Sequence, residues 1–178
     1  MLPPLVERAR ALAERMGFEK SCSVETGRLL HVLAGQRGRS RVAEIGTGCG
    51  VGAAWILSAL SPDAAFVTVE LDDERATAAA ELLAGDGNAR VLHGDWTEVL
   101  PPEAPFDLLF ADGGTSKAHD EIAGLLTTGG TLVLDDLTPG RTGPDPIRDL
   151  WLGHPRIAAV ELQVSPGEAV LVATLQPR

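Results

Sequence analysis

The sequence has 178 residues, 44% hydrophobic and 22% charged, a balance typical of a globular protein with a buried core. Lysine and arginine number 15 against 25 aspartates and glutamates, and this net charge of −10 disfavours nucleic acid as a partner because phosphate backbones attract positive surfaces. The longest apolar stretch, from Val51 to Leu57, is far shorter than the roughly 20 residues that cross a bilayer, so we expect no membrane partner.

The first part of the chain is predicted to be helical. Apolar residues between Leu2 and Met16 recur at helical spacing, and Gly17 stops the pattern. A second helix is predicted over residues 22–33, behind a serine cap at Ser21 or Ser23. These helices form an N-terminal segment over residues 1–35, ahead of a core over residues 40–178.

From residue 40 onward, predicted strands and helices alternate. Strands are predicted over residues 41–45, 66–70, 89–93, 106–111 and 131–135. The helices between them are predicted over residues 50–60, 72–84 and 116–126. Such alternation implies right-handed crossovers and a parallel sheet with helices on both faces.

The C-terminal part departs from this alternation. After a predicted helix over residues 146–152, strands over residues 157–164 and 169–175 are joined by only Ser165-Pro166-Gly167-Glu168. Four residues cannot connect parallel strands, so this pair must be antiparallel. The predicted fold class is therefore α/β, a Rossmann-like sheet of five parallel strands plus a C-terminal antiparallel hairpin, in a single domain over residues 1–178.

The cysteines and the N-terminus indicate the cellular location of the protein. Cys22 and Cys49 are too few for a disulfide framework and have no metal-binding spacing. The first residues lack the basic and apolar segments of a signal peptide. We therefore expect a cytoplasmic protein with reduced thiols.

A glycine-rich segment, from Glu44 to Gly52, lies at the first predicted strand-to-helix turn. Ligands of open α/β sheets bind at the carboxyl ends of the strands, where glycines let the backbone approach closely and a helix N-terminus suits an anionic group. The segment leaves two cofactors open. It fits the dinucleotide pattern from Gly48 to Ala53, with Glu70 suitably placed downstream, and it also suits S-adenosylmethionine (SAM).

Three features favour SAM over a nicotinamide cofactor. Glu44 would repel a pyrophosphate but tolerates the cationic methionine end of SAM. Asp95, after Gly94 at the end of the third strand, can accept a hydrogen bond from an adenine amino group. The terminal hairpin leaves no room for the separate substrate domain that a dehydrogenase usually needs. Glu70, at the end of the second strand, can then bridge the ribose hydroxyls.

Taken together, these segments resemble the class I SAM-dependent O-methyltransferases of the catechol and caffeoyl-CoA type. The resemblance runs from about Glu25 to Gly140 and rests on residues 25–30, 42–48, 67–70, 93–95, 106–112 and 129–136. It implies methyl transfer from SAM to a hydroxyl group of a small, aromatic acceptor. The substrate loops are short, so a partner chain in a homodimer could complete the pocket.

The resemblance also implies a cofactor site at the strand ends. The residues expected to bind SAM are Glu44, Gly46, Thr47, Gly48, Gly52, Glu70, Leu71, Gly94, Asp95, Trp96 and Asp112. Of these, Trp96 has two interpretations: its ring packs on the purine, or it is a core residue that opens a short helix.

Three aspartates are implied to bind Mg²⁺ or another divalent cation: Asp112, Asp135 and Asp136. They end adjacent strands, where their carboxylates would repel one another without a cation or protons. Hard oxygen ligands suit Mg²⁺, and such an ion can lower the pKa of a phenol and hold its oxygen in line with the methyl group.

Two residues depart from the family pattern. Asp136 stands where the family typically has asparagine, and Thr115 stands where it has a general-base lysine. Lys117 and His119 follow closely and are the candidate catalytic replacements, together with Asp112. Lys117 also has an ordinary structural interpretation as a solvated lysine, and His119 as a surface histidine.

Other functions remain open from the sequence. An N-methyltransferase is one alternative, although Gly113-Gly114 replaces the Pro-Pro-aromatic motif typical of amino methylation after Asp112. A SAM-binding protein without turnover is another, favoured by Thr115. A nicotinamide-dependent enzyme is the alternative for the same fold.

Overall fold

Seven strands form a single sheet in the computed structural model, which describes residues 1–177. The strands are β1 (Arg41–Ile45), β2 (Ala65–Glu70), β3 (Ala89–His93), β4 (Phe106–Ala111), β5 (Leu126–Leu137), β6 (Ile157–Ser165) and β7 (Glu168–Leu175). Their order across the sheet is β3-β2-β1-β4-β5-β7-β6. Strands β1 to β5 pair in parallel, and β7 pairs antiparallel with both β5 and β6. The predicted fold class is confirmed.

The strand order reverses at β1. The chain proceeds from β1 to β2 and β3 on one side, and then returns to place β4 and β5 on the other side. The carboxyl ends of β1 and β4 are therefore neighbours at the switch point, where open α/β sheets bind ligands. Both central strands are mostly buried, because helices cover the two faces of the sheet.

Six α-helices accompany the sheet within the described residues. They are α1 (Pro4–Arg15), α2 (Val24–Ala34), α3 (Val51–Leu57), α4 (Asp73–Leu83), α5 (Trp96–Val99) and α6 (Pro146–Leu152). Helices α1 to α4 pack in one hydrophobic core, and α5 and α6 pack in a second core on the other face. No helix within residues 1–177 is long and apolar enough to cross a membrane.

Helix α2 is docked unusually closely on α3. The side chain of Ser23 caps α2 by accepting a hydrogen bond from the Thr26 amide at 3.0 Å. A Cβ atom at Gly27 would lie 2.1 Å from Nε1 of Trp55, a residue of α3. Glycine at position 27 is therefore what allows this approach, and Trp55 is a core residue.

The predicted helix over residues 116–126 is wrong. Two short 3₁₀ segments, Ser116–Ala118 and Asp120–Leu125, take its place. His119 between them has an extended backbone, and neither segment has a side-chain N-cap. Strand β5 also begins at Leu126, five residues before the predicted start at Thr131.

Candidate functional site

The glycine-rich loop forms a tight turn between β1 and α3. The amides of Gly46 and Thr47 both donate to the main-chain oxygen of Val69, at 2.9 and 3.1 Å. Gly46 has a φ of +93°, and a Cβ atom there would lie 2.5 Å from the backbone of Gly113, which follows β4. Only glycine fits this position. The glycine loop and the end of β4 therefore face each other at close range.

Glu44 lies beneath the first turn of α3 with no exposed surface. Its Oε2 accepts a 2.6 Å hydrogen bond from Thr68, but its Oε1 has no hydrogen-bond partner among the described residues. A Cβ at Gly52 would lie 2.2 Å from that Oε1. Burial raises the pKa of the Glu44 carboxyl well above its usual range, and the charges of Asp112 and Glu70 add to the effect. An unpaired buried oxygen of this kind is stabilised by a cationic or N–H ligand group.

Thr47 and Thr68 extend this hydrogen-bond chain. Their hydroxyl oxygens lie 2.6 Å apart, and both residues are buried. The glycine loop is thereby linked to Glu44 through Thr68, a residue that the sequence patterns did not single out.

Glu70 is held by three donors of the protein itself. Its carboxylate accepts from the amides of Gly48 at 2.8 Å and Asp72 at 3.0 Å, and from the guanidinium of Arg75 at 2.9 Å. Arg75 in turn lies over the ring of Phe18, 5.3 Å from its centroid. A carboxylate has about four lone-pair sites, so Glu70 keeps capacity for a ligand hydroxyl.

Sequence reasoning missed the linker between α1 and α2, residues 16–23. Phe18, Lys20, Ser21 and Cys22 line a narrow crevice opposite the glycine loop. The other residues that line it are Glu44, Gly46, Thr47, Gly48, Val51, Gly52 and Asp112. A larger cavity of about 370 Å³ adjoins it behind the linker. The sequence does not predict this crevice, because such contacts depend on tertiary packing. Its only local signal is the aromatic Phe18 directly after Gly17.

The predicted adenine and ribose residues lie at the ends of β2 and β3. Leu71, directly after Glu70, is 71% exposed, which is unusual for a large apolar side chain beside a crevice. Asp95, after Gly94, caps α5 by accepting from the amide and hydroxyl of Thr97, and these bonds lower its pKa. Trp96 opens α5 and is partly buried, so both interpretations of its role fit.

Asp112, Asp135 and Asp136 are brought together as predicted. Each offers a carboxylate oxygen, and these oxygens all lie within 4.8 Å of one another. Burial and the neighbouring carboxylates raise the pKa of Asp112 to about 8, and burial foremost raises that of Asp135 to about 6. Oδ2 of Asp135 is buried without a partner within residues 1–177. This donor set fits a hard divalent cation.

Asp136 has a left-handed backbone, with a φ of +58°. Asparagine and aspartate tolerate this conformation better than other side chains, because they can hydrogen-bond locally. Aspartate in place of asparagine therefore still suits this backbone, and it adds a carboxylate to the cluster.

Lys117 lies at the aspartate cluster rather than in solvent. It is 6% exposed, and its Nζ donates to the main-chain oxygen of Asp135 at 2.9 Å and lies 3.4 Å from Oδ2 of Asp136. The main-chain oxygen of Lys117 accepts a 2.7 Å bond from Trp151. Thr115, at the family's lysine position, is exposed. The interpretation of Lys117 as a solvated lysine is wrong.

His119 lies near the adenine residues instead. Its ring meets Trp96 edge-on, with centroids 5.7 Å apart, and its Nδ1 is 3.6 Å from a carboxylate oxygen of Glu121. Neither contact joins it to the three aspartates.

Comparisons with known proteins agree with this geometry. Residues 43–137 match a family described as a methyltransferase domain. Rv1220c, a probable O-methyltransferase of Mycobacterium tuberculosis, is 33% identical over 129 residues, which are 67% of this chain and 58% of that protein. The chain thus spans less than two thirds of that relative.

Solved structures share the fold across nearly the whole chain. An O-methyltransferase from Bacillus cereus, in complex with S-adenosylhomocysteine, has a TM-score of 0.84 at 22% identity, covering 99% of this chain and 92% of that one. TomG from Streptomyces achromogenes, in complex with SAM, has a TM-score of 0.79 at 24% identity, with the same coverage of 99% and 92%.

Proposed function

The chain belongs to the methyltransferase domain family, and on that premise we propose that it transfers the methyl group of SAM to a hydroxyl group of a small, aromatic acceptor. The observation that carries this proposal is the double role of Asp112. Asp112 lines the crevice that holds Glu44, and its carboxylate also belongs to the cluster with Asp135 and Asp136. A methyl donor and a coordinated acceptor oxygen would therefore meet at one side chain.

The residues proposed to bind SAM lie at or just after the carboxyl ends of the strands. We assign the methionine end to Glu44 and the glycine loop, since the unpaired Oε1 suits a positively charged group. Glu70 would take the ribose hydroxyls, and exposed Leu71 would pack on the adenosine. Asp95, Trp96 and His119 would form the adenine end. Bound SAM would supply a methyl group on a charged sulfur, and its transfer to the acceptor oxygen would release S-adenosylhomocysteine and the hydroxyl proton.

The chain's own groups prepare the acceptor. Asp112, Asp135 and Asp136 would hold the divalent cation, which supplies positive charge to the acceptor oxygen and favours loss of its proton. Lys117 would hold the turn at Asp135 and Asp136 through its amino group. Methyl transfer then depends mainly on holding donor and acceptor in line.

The setting of the reaction is also part of the proposal. An acceptor with two adjacent hydroxyl groups suits a cation held by three carboxylates, and a second copy of the chain would complete the open pocket. Cys22 and Cys49 are both free thiols, which supports a cytoplasmic location.

Labelled SAM, Mg²⁺ and a panel of catechols test the proposal. We expect label in the acceptor, and its loss when a chelator is added. Transfer that a chelator does not affect would contradict the cation. Binding of SAM without transfer to any hydroxyl or amine would favour a SAM-binding protein without turnover, and transfer to amines alone would favour an N-methyltransferase.

A further inference from the structure

The hydroxyl group of Thr26 lies between two carboxylates from different strands. Thr26 Oγ1 is 3.2 Å from Oδ1 of Asp135 in β5 and 3.0 Å from Oε1 of Glu168, the first residue of β7. Thr26 and Asp135 both have 0% exposed surface. A threonine hydroxyl has one hydrogen to donate, so this single donor serves two acceptors.

The position of Thr26 is fixed by the docking of α2. Its amide is bound by the Ser23 cap, and its neighbour Gly27 lets α2 approach Trp55 so closely that a Cβ would lie 2.1 Å from the indole. Helix α2 therefore cannot come closer to α3. This limit fixes the position of its first turn, and so the distance between the Thr26 hydroxyl and β5.

Two contacts then define the orientation of Asp135. Lys117 binds its main-chain oxygen at 2.9 Å, and Thr26 binds Oδ1 of its carboxylate. Oδ2 is left without a partner in the described part of the chain. Because Thr26 contacts Oδ1, we infer that Oδ2 is the oxygen left free for a cation.

We propose that Thr26 is a positioning residue of the cation site. Its hydroxyl orients the Asp135 carboxylate and ties Glu168 of the terminal hairpin to it, so helix α2 is part of the site. The inference rests on the proposed function, in that it takes Asp112, Asp135 and Asp136 as cation ligands. Groups that orient a metal ligand typically contribute about 10–100-fold to metal affinity.

Manganese titration of the purified protein tests this inference, with free Mn²⁺ followed by electron paramagnetic resonance. The variant Thr26→Val removes the hydroxyl at nearly constant volume, and we expect it to weaken Mn²⁺ binding by about 10–100-fold. Thr26→Ser keeps the hydroxyl and should retain wild-type affinity. Calorimetry should give the same SAM affinity for all three proteins, because Thr26 does not line the cofactor crevice.

Two further variants complete the design. Thr174→Val makes the same change elsewhere, in β7, and should leave Mn²⁺ affinity unchanged. Thermal unfolding in EDTA shows whether each variant folds. If Thr26→Val does not fold, Thr26→Ala removes the hydroxyl without placing a methyl group against two carboxylates, and the same weakening is expected.

Failure of the Thr26 inference and failure of the proposed cation site would give different results. Folded Thr26→Val or Thr26→Ala protein that binds Mn²⁺ as tightly as wild type would overturn the inference and leave the proposed cation site intact. A wild-type protein that binds no Mn²⁺ would overturn both the cation site and the role of Thr26. Equal weakening in Thr26→Ser would also overturn the inference, because the hydroxyl would then not be the cause.

Discussion

The ammonium group of Lys117 donates a hydrogen bond to the main-chain oxygen of Asp135 across 2.9 Å. This contact places a buried cation beside three carboxylates. A lysine two positions after Thr115 reaches the cluster because the short 3₁₀ segment Ser116–Ala118 turns its side chain inward. In the first turn of an α-helix, the same side chain would be exposed.

Lys117→Met should destabilise the protein in the absence of metal. The aspartates would lose their internal positive charge, and we expect the free energy of unfolding in EDTA to fall by about 1.5–3 kcal/mol. Mn²⁺ should restore part of this loss. Urea denaturation measures both effects, with Arg37→Met as the control because Arg37 is exposed. Equal losses in the two variants would contradict the role of Lys117.

Asp135→Asn should have opposite effects on stability and on binding. Removing one of the crowded carboxylates should raise the free energy of unfolding in EDTA by about 0.5–2 kcal/mol, as substitutions at strained functional sites often do. The thermal shift on adding Mn²⁺ should disappear. Asp120→Asn, at an exposed aspartate, should change neither measurement. A Mn²⁺ shift that survives in Asp135→Asn would show that the cation does not bind at this cluster.

Glu44→Gln should weaken SAM binding and flatten the pH dependence of stability. Loss of a charged hydrogen bond of about 1.5–3 kcal/mol corresponds to roughly 10–100-fold in affinity, measured by calorimetry. Because burial raises the pKa of Glu44, ionisation costs the folded state more than the unfolded state. Without SAM, the stability that Glu44 contributes is therefore present below its unfolded pKa of about 4.3 and is lost as the pH rises.

Glu44→Gln lacks that titrating group, so its unfolding free energy should fall less than that of wild type as the pH rises above about 4.3. Parallel curves for the two proteins would mean that Glu44 is not buried as described.

Arg75→Met should tighten SAM binding slightly. Arg75 occupies Oε1 of Glu70 and lies over Phe18, so a ribose must share or displace it. A partly exposed ion pair is worth about 0.2–1 kcal/mol, which corresponds to a gain of up to roughly fivefold in affinity. Arg90→Met, which breaks the separate pair with Glu103, is the control. Weaker binding in Arg75→Met would show that the guanidinium contacts the cofactor.

The sheet could be predicted well because its signals are local. Apolar runs located the parallel strands, and the short connection at Pro166-Gly167 required an antiparallel hairpin. The acids at 44, 70, 112, 135 and 136 were also predictable, since strand ends in a parallel sheet meet at one edge.

The rest depends on contacts between distant parts of the chain. Thr26 and Asp135 are 109 residues apart, and no local pattern relates them. Phe18 faces the glycine loop only because α1 and α2 pack on α3. The 3₁₀ conformation near Lys117 was missed because apolar periodicity does not distinguish a short 3₁₀ segment from the first turn of an α-helix.

Asp112 belongs both to the crevice and to the aspartate cluster, so the proposed cofactor and cation would share one carboxylate. A positive charge bound on either side must alter the affinity of the other side for its own cation. Thermodynamic reciprocity makes that factor the same whichever ligand arrives first. A single carboxylate can therefore couple the two binding events.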